Sequence, residues 1–201
     1  MREIVLATRN PKKVEEICAM LADLPIRILS LADFPGIPEP QETGATFAEN
    51  ATIKALAAAK ATGKVALADD SGLEVDALGG RPGVLSNRFA GQGASDRDKY
   101  MLVLRLMDGV PEDKRTARFR AAIAIAKPDG HTVVVEGTCE GRIAHEPRGE
   151  YGFGYDPIFY LPDIGKTMAE LPPEEKNKIS HRAKAIQAAK QLLIEMMKKN
   201  G

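Results

Sequence analysis

Two adjacent carboxylates, Asp69 and Asp70, end an apolar strand-like segment that begins at Val65. Carboxylates at the end of a strand suit Mg²⁺, a hard cation that prefers oxygen ligands and acts beside substrate phosphates. Ser71 and Gly72 follow and are typical of a sharp turn, so an exposed acidic turn explains the same residues equally well. The segment by itself leaves both interpretations open. Since neighbouring side chains in a strand point to opposite faces, Asp69 and Asp70 are expected to have different roles.

A second candidate site is a strand-to-helix junction near the start of the chain. The first turn of a helix offers backbone N–H groups and a positive dipole end, which suit a phosphate, and a lysine there adds positive charge. The segment lacks the Gly-x-x-x-x-Gly-Lys-Ser/Thr pattern of a P-loop, and an ordinary helix start remains the alternative. The candidate phosphate-binding residues are Thr8, Arg9, Asn10, Pro11, Lys12 and Lys13.

A third group lies on a glycine-containing loop and on the helix that follows it. Glu42 precedes the helix, whereas Asn50 and Lys54 are four residues apart and therefore share one helix face. A surface acid and a solvated lysine are the simpler interpretation, which this motif alone favours.

Residues 152–159, GFGYDPIF, combine glycines with aromatic side chains. Glycines let the backbone approach a flat ligand closely, so Phe153 or Tyr155 could stack on a nucleobase and Asp156 could form a hydrogen bond with it. An aromatic hairpin that only packs the core is the alternative.

A last cluster, with Lys176, His181 and Arg182, surrounds the predicted start of the terminal helix. The helix dipole favours anions at this end, so three cationic groups there suggest that a bound anion or a polar base compensates them. Each of these groups is a weak signal alone. Together they supply metal ligands, phosphate-binding cations and a base-stacking loop, which are the parts of a nucleotide-hydrolysing pocket.

Hydrophobic periodicity predicts a mixed α/β fold that positions these residues. The predicted strands cover residues 3–8, 26–31 and 65–68, and the predicted helices begin at Pro11, cover 46–62 and 95–107, and run from an N-cap at Ser180 to about residue 199. From Thr116 the pattern alternates with a period of two, and a turn at 127–130 predicts an antiparallel hairpin.

Composition narrows the class of protein. Lys plus Arg equals Asp plus Glu, 28 each in 201 residues, so no global positive charge indicates a nucleic acid polymer as partner. No apolar run reaches the roughly 18 residues of a membrane-spanning helix. No signal-peptide pattern opens the chain, so we expect a cytoplasmic protein without a membrane partner. The two cysteines, Cys18 and Cys139, are far apart and favour free thiols over a disulfide or a zinc site.

The ordered set of motifs resembles the Ham1/inosine triphosphate pyrophosphatase family, the house-cleaning XTP/dITP pyrophosphatases. The motifs run from residue 8 to residue 183: Thr8-x-Asn10-x-x-Lys13, Glu42-x-Gly44-x-Thr46-Phe47-x-x-Asn50-Ala51, Ala68-Asp69-Asp70-Ser71-Gly72-Leu73, Pro82-Gly83, Gly152-Phe153-Gly154-Tyr155-Asp156-Pro157 and Ser180-His181-Arg182-Ala183. The resemblance implies one α/β domain over residues 1–201, with a long mixed central sheet flanked by helices. It also implies two lobes with the active site in the cleft between them, Mg²⁺ as the cofactor, and a homodimer.

The resemblance further implies a reaction and assigns roles to residues. A noncanonical purine nucleoside triphosphate (ITP, dITP or XTP) and water would give the monophosphate and pyrophosphate. Asp70 would be the general base and, with Glu42, would bind Mg²⁺, while the supporting residues would be Asp69, Asn50 and Lys54. The residues that hold the triphosphate would be Thr8, Arg9, Asn10, Pro11, Lys12, Lys13 and Ser71, and those around the base and sugar Phe153, Gly154, Tyr155, Asp156, Lys176, His181 and Arg182.

Purine selectivity has a physical logic in this scheme. Hypoxanthine and xanthine carry a 6-oxo acceptor where adenine has an amino donor, so donors such as His181 and Arg182 would leave adenine unpaired. Guanine shares the 6-oxo group, so its rejection must involve its 2-amino group.

Two residues depart from the family pattern: Lys12 stands where glycine is frequent, and Asn87 stands where alanine is usual. Neither removes a proposed catalytic group. Two alternative functions also fit parts of the pattern, a related pyrophosphatase that acts on other modified bases and a nucleotide-binding module without catalysis.

Overall fold

A mixed, seven-stranded sheet with flanking helices forms the fold, in the strand order β2-β1-β3-β4-β5-β6-β7. The computed structural model describes residues 2–198, so the predicted end of the last helix near residue 199 lies outside the described residues. The strands are β1 Arg2–Leu6, β2 Ile26–Ser30, β3 Val65–Val75, β4 Thr116–Ala126, β5 Thr132–Ile143, β6 Phe159–Leu161 and β7 Lys166–Thr167. The α-helices are α1 Pro11–Leu21, α2 Phe47–Thr62, α3 Asp96–Leu106, α4 Pro173–Ile179 and α5 His181–Lys198. The prediction of an α/β fold with a long mixed sheet is confirmed.

Local capping interactions explain where the first three helices begin. Asn10, Thr46 and Ser95 each accept hydrogen bonds from backbone N–H groups of the first helical turn. Gly63 ends α2 in the left-handed conformation, with φ at 67°. Helix α4, which begins after Pro172, is not predicted from the sequence. Its Lys176 therefore belongs to a separate short helix, not to the start of α5.

The predicted turn after the two carboxylates is wrong, because β3 continues without interruption from Val65 to Val75. Asp69 and Asp70 lie inside the strand and are only 2% and 3% exposed. Buried carboxylates are stable only when they are paired. Lys13 pairs with Asp69 and Lys54 with Asp70, so the acidic pair can remain in the interior of a strand.

The chain divides into two compact units. The first unit comprises Met1–Asp70, Ala121–Gly137 and Arg182–Gly201, and the second comprises Ser71–Arg120 and Thr138–His181. The core of the first unit includes Leu6, Ile17, Leu21, Leu67, Ile123, Ile186 and Leu193. The core of the second unit includes Leu73, Val103, Met107, Phe119, Ile158, Phe159 and Met168.

Parallel pairing sets the geometry of the first unit. Strand β1 pairs in parallel with β2 on one side and with β3 on the other, and Leu6 lies opposite Leu67. The backbone continues this register, because Ala7 N donates to Leu67 O over 2.8 Å. Ligands of open α/β sheets bind beyond the carboxyl ends of such strands. Among the described residues, no helix has the length and apolar character needed to cross a membrane.

Candidate active site

The carboxyl end of β1 and the middle of β3 bring two of the predicted clusters together in the first unit. The register that places Leu6 opposite Leu67 puts the loop after β1 beside the acidic pair in β3. A direct contact joins the two segments, since Lys13 Nζ lies 2.6 Å from Asp69 Oδ2. The phosphate-binding candidates and the carboxylates, separated by more than fifty residues in the sequence, therefore form one site.

The backbone N–H groups at the start of α1 make more hydrogen bonds within the protein than the sequence suggests. Asn10 Oδ1 accepts hydrogen bonds from Lys12 N (3.0 Å) and Lys13 N (3.3 Å), and Thr8 Oγ1 accepts one from Asn10 N (3.1 Å). Two of the N–H groups expected to face a phosphate are thus occupied by the N-cap. Pro11 is the first helical residue, the Lys12 side chain is exposed and the Lys13 side chain is buried.

Arg9 anchors the neighbouring loop. Its Nη2 donates to Ile37 O over 2.7 Å and to Phe34 O over 3.3 Å. These bonds fix the course of the chain after β2. One terminal nitrogen of the guanidinium, which the sequence predicts to hold a phosphate, therefore already makes contacts within the first unit.

Asp69 is the centre of a buried charge network. Arg182 Nε lies 3.3 Å from Asp69 Oδ1, and Arg182 Nη1 donates to Glu16 Oε2 over 2.7 Å. Burial alone would raise the pKa of the Asp69 carboxyl, but the charges of Arg182 and Lys13 outweigh it and hold that pKa well below its usual range. Asp69 is thus an ionised anchor that joins β3 to the first turns of α1 and α5.

This network also answers the question raised by the cations at the start of α5. The sequence suggested that a bound anion or a base compensates them, whereas Asp69 and Glu16 compensate Arg182 directly. Sequence reasoning missed Glu16. The one available signal is its position three residues after Lys13, which places both on one face of α1.

Asp70 belongs to a second group of charges, formed with Lys54 and Glu42. Lys54 Nζ lies 2.7 Å from Asp70 Oδ1 and 2.9 Å from Glu42 Oε1, and it also donates to Asp69 O over 2.9 Å. Burial raises the pKa of the Asp70 carboxyl even though Lys54 opposes the shift. Burial would lower the pKa of Lys54, but Asp70 and Glu42 outweigh it and raise that pKa, so the amine stays charged. The two neighbouring aspartates therefore have different partners, as strand alternation predicts.

The glycine loop before α2 holds Glu42 in place. Asn50 is buried, and its Oδ1 accepts a hydrogen bond from Gly44 N over 2.7 Å. A Cβ atom on Gly44 would lie 2.7 Å from this same oxygen and 2.7 Å from Glu49 Cβ, so only glycine fits there. Asn50 therefore positions the loop that carries the carboxylate, which gives its predicted supporting role a physical basis.

The residues around Lys54 fit a magnesium ion. Two carboxylate oxygens and one carbonyl oxygen converge on a single cationic group, and hard oxygen donors are the ligands that Mg²⁺ prefers. Glu42 and Asp70 are the residues that could hold the metal.

Asp156 organises the predicted base-binding loop in the second unit. Its Oδ2 accepts hydrogen bonds from Phe153 N (3.0 Å) and from Lys176 Nζ (2.7 Å). Lys176 Nζ also lies 4.7 Å from the centre of the Phe153 ring, within cation–π range. Gly152 has a φ of 71°, and a Cβ atom there would overlap the same Asp156 oxygen. These residues form the aromatic and charged cluster that the sequence predicts.

Two other residues of this loop serve the structure itself. Tyr155 is buried and its hydroxyl donates to Ser86 O over 2.7 Å, so of the two aromatic candidates it is Phe153 that keeps an accessible ring. Gly154 N donates to Asp96 Oδ2 over 2.8 Å. Sequence reasoning missed Asp96, because the capping box at Ser95 locates the helix start but says nothing about a residue 58 positions away.

The remaining candidates of the second unit are Ser71 and His181. Ser71 follows Asp70 on β3 and is partly buried. The His181 ring is 5% exposed and stacks on Phe119, with ring centroids 4.7 Å apart.

Replacing the two adjacent aspartates one at a time should change the free energy of unfolding in different ways. Asp69→Asn leaves the buried Lys13 and Arg182 facing a neutral amide, so we expect a loss of about 3 kcal/mol at pH 7 in metal-free buffer. Asp70→Asn removes a carboxylate whose ionisation burial disfavours, while Lys54 keeps Glu42 as a partner. Its stability should equal or exceed that of the wild type. Urea unfolding followed by circular dichroism measures both.

The contribution of Asp69 should also depend on pH with a defined sign. Since its pKa is lowered in the folded state, its contribution is complete at neutral pH and is lost as the pH falls below about 4. The Asp69→Asn variant should therefore lose less of its free energy of unfolding on acidification than the wild type does. If the variant loses stability on acidification as steeply as the wild type, the ion pairs of Asp69 are not a source of stability.

Gly44→Ala should displace the loop that carries Glu42. The new methyl group overlaps Asn50 Oδ1, so the buried hydrogen bond breaks at a cost of about 1–2 kcal/mol, and the affinity for Mg²⁺ should fall. Thermal unfolding and calorimetric titration with MgCl₂ measure the two effects. Gly36→Ala is the matched control, because it lies in the preceding loop with no atom within 4 Å of the added carbon. Equal behaviour of the two variants would rule out the proposed packing role of Gly44.

Comparison with known proteins places this site in a family. A profile of the Ham1 family matches residues 4–192. The dITP/XTP pyrophosphatase of Geobacillus kaustophilus (strain HTA426) is 59% identical over 186 residues, which are 92% of this chain and 91% of the relative. The dITP/XTP pyrophosphatase of Bacillus subtilis (strain 168) is 52% identical over 193 residues, 96% of this chain and 98% of the relative. The structure of a HAM1 protein from Coxiella burnetii superimposes with a TM-score of 0.89 at 46% identity, covering 97% of this chain and 100% of that one. With its charged site on α1, α2, β3 and α5 and this similarity over nearly its full length, the chain belongs to the Ham1 family.

Proposed function

We propose that this chain hydrolyses noncanonical purine nucleoside triphosphates (ITP, dITP and XTP) to the monophosphate and pyrophosphate, and so cleanses the nucleotide pool. The observation that carries the proposal is the convergence of Glu42 and Asp70 on one cationic centre, beside Lys13 at the start of α1. Relatives that are 50–59% identical over more than nine tenths of both chains are dITP/XTP pyrophosphatases. The chain is a nucleoside-triphosphate pyrophosphatase.

The metal in this scheme is Mg²⁺, held by Glu42 and Asp70. Such a cation neutralises charge that builds on the phosphoryl oxygens during hydrolysis. The convergence of hard oxygen donors supports this choice over a thiophilic metal.

Asp70 is the proposed general base. A base works best when its pKa lies near the operating pH, and burial moves the pKa of this carboxyl upward, in the required direction. Asp69 is unsuited to the same task, because two cations hold its pKa low and keep its oxygens engaged. Its role is to position Lys13 and β3.

The triphosphate is proposed to lie against the start of α1. Lys13 and Lys12 supply positive charge, and Thr8, Asn10, Pro11 and Ser71 complete the surface. Because the Arg9 guanidinium bonds to Ile37 O and Phe34 O, we assign Arg9 to shaping the loop beside the phosphates.

Base recognition is assigned to the residues of the last two motifs. Phe153 is the stacking residue, since its ring is only partly buried and already faces the Lys176 ammonium. Asp156 holds Phe153 and Lys176 in position through its hydrogen bonds, and Gly154 and Tyr155 anchor the loop. His181 is the proposed donor to the 6-oxo group, which hypoxanthine and xanthine carry and adenine lacks. Arg182, which bonds to Asp69 and Glu16, is assigned to anchoring the start of α5.

We further propose a cytoplasmic homodimer that acts on free nucleotides, without a nucleic acid or membrane partner. Cys18 and Cys139 are not joined in a disulfide, as is usual in a reducing compartment. The dimer rests on the family resemblance.

A nucleotide panel tests the substrate class. With Mg²⁺ present, dITP and XTP should be hydrolysed at least about a hundredfold more efficiently than dGTP and dATP, because a mismatched base leaves buried polar groups unpaired. Pyrophosphate release, measured with and without EDTA, gives the rates. Modified pyrimidine triphosphates complete the panel.

Equal turnover of dGTP and dITP would exclude a house-cleaning role. Preference for a modified pyrimidine would instead favour a related pyrophosphatase with another base pocket, and full activity in EDTA would remove the metal from the scheme.

Asp70→Asn tests the catalytic assignment. Loss of a general base usually lowers turnover by about a hundredfold or more, so we expect a decrease of this size in kcat for dITP with the fold retained. Glu39→Gln removes an exposed carboxylate from the loop before Glu42 and should leave kcat unchanged. Wild-type activity in Asp70→Asn would refute the mechanism, whatever the substrate.

A further inference from the structure

The Lys54 ammonium is fully engaged by the oxygens that form the proposed metal site. Its Nζ contacts Asp70 Oδ1 (2.7 Å), Glu42 Oε1 (2.9 Å) and Asp69 O (2.9 Å). An ammonium has three donors, so these three contacts use its whole capacity. The side chain is only 12% exposed. Lys54 is therefore the cation of this site in the structure described.

A second cation at these oxygens would compete with the ammonium. A divalent ion bound to Glu42 and Asp70 would lie within a few ångströms of it, and like charges repel strongly at such a distance in a poorly solvated site. Without any cation, the two carboxylates would repel each other in the same way. A lysine differs from a fixed ligand, because its ammonium sits on a flexible four-carbon stem and can be withdrawn.

We propose that Lys54 is an exchangeable internal cation, which neutralises Glu42 and Asp70 until Mg²⁺ binds and then leaves them. This inference rests on the proposed function, since it needs the Mg²⁺ site. Lys54 preserves the arrangement of the two carboxylates before the metal arrives. Once displaced, its ammonium is available to a phosphate oxygen of the nucleotide, the nearest new anion in the reaction.

The exchange couples the metal to the substrate. Mg²⁺ alone must displace a fully bonded ammonium that gains no new partner, so it binds weakly. When a triphosphate is present, the displaced ammonium gains an anion, and binding of either ligand favours the other. A permanent salt bridge would behave differently, because removing Lys54 would then only weaken the site.

Calorimetric titration with MgCl₂ in the absence of nucleotide is the first test. Lys54→Met keeps the length of the side chain and removes its charge, so we expect it to bind Mg²⁺ about tenfold or more tightly than the wild type. Lys60→Met is the matched control, because Lys60 is exposed on the same helix, and its Mg²⁺ affinity should be that of the wild type. Thermal unfolding with and without MgCl₂ shows that each variant is folded.

Lysine labelling of the wild-type protein is the second test, and it needs no variant. A small amine-reactive acetylating reagent should modify Lys54 slowly in metal-free buffer and several times faster in saturating MgCl₂, whereas Lys60 should react at the same rate in both. Mass spectrometry of the digested protein gives the two rates.

The outcomes separate the exchange from the function it rests on. Equal or weaker Mg²⁺ binding by Lys54→Met, or labelling of Lys54 that does not change when Mg²⁺ binds, overturns the exchange and leaves the hydrolase assignment to the nucleotide panel. Failure of both the wild type and Lys54→Met to bind Mg²⁺, with dITP still hydrolysed in EDTA, overturns the exchange together with the metal site.

Discussion

The ion pair of Asp69 with Lys13 and Arg182 is the interaction on which the geometry of the site depends. It joins three segments that are far apart in the chain: the first turn of α1, the middle of β3 and the first turn of α5. A carboxylate that is 2% exposed would be unstable there without both cations. Because side chains alternate along a strand, fixing Asp69 on one face also fixes where Asp70 emerges on the other.

The neighbouring carboxylates illustrate how one strand can hold two acids with different tasks. Two cations lower the pKa of Asp69, whereas burial raises the pKa of Asp70. Environments that separate the pKa values of adjacent acids are typical of catalytic sites. The structure thus gives two residues that are adjacent in sequence opposite electrostatic environments.

Features determined by local hydrogen bonds could be predicted from the sequence. The caps at Asn10 and Thr46 are examples, because an N-cap and its donors lie within three residues. The uninterrupted β3 could not be predicted, since it depends on Arg182, 113 residues away, to neutralise Asp69. A Ser-Gly pair is typical of a turn, so the sequence favours a turn there when the distant ion-pair partner is not known.

In the candidate site, too, contacts between residues distant in sequence could not be predicted. The motifs identify candidate site residues, but not which of their side chains the protein uses for its own structure. Tyr155 packs in a core and Arg9 anchors a loop, because partners distant in sequence bind them first. Asp96 carries no local signal that it acts as a partner, and Glu16 only its position three residues after Lys13.

The division of the chain into two units has an evolutionary consequence. Glu42, Lys54 and Asp70 belong to the first unit, while Phe153 and Lys176 belong to the second. The buried charges of Asp69 and Asp70 have their ion-pair partners within the first unit, so a substitution in the second unit removes none of these pairs. The loop proposed to bind the base can therefore change in sequence while selection preserves the ion pairs of the first unit.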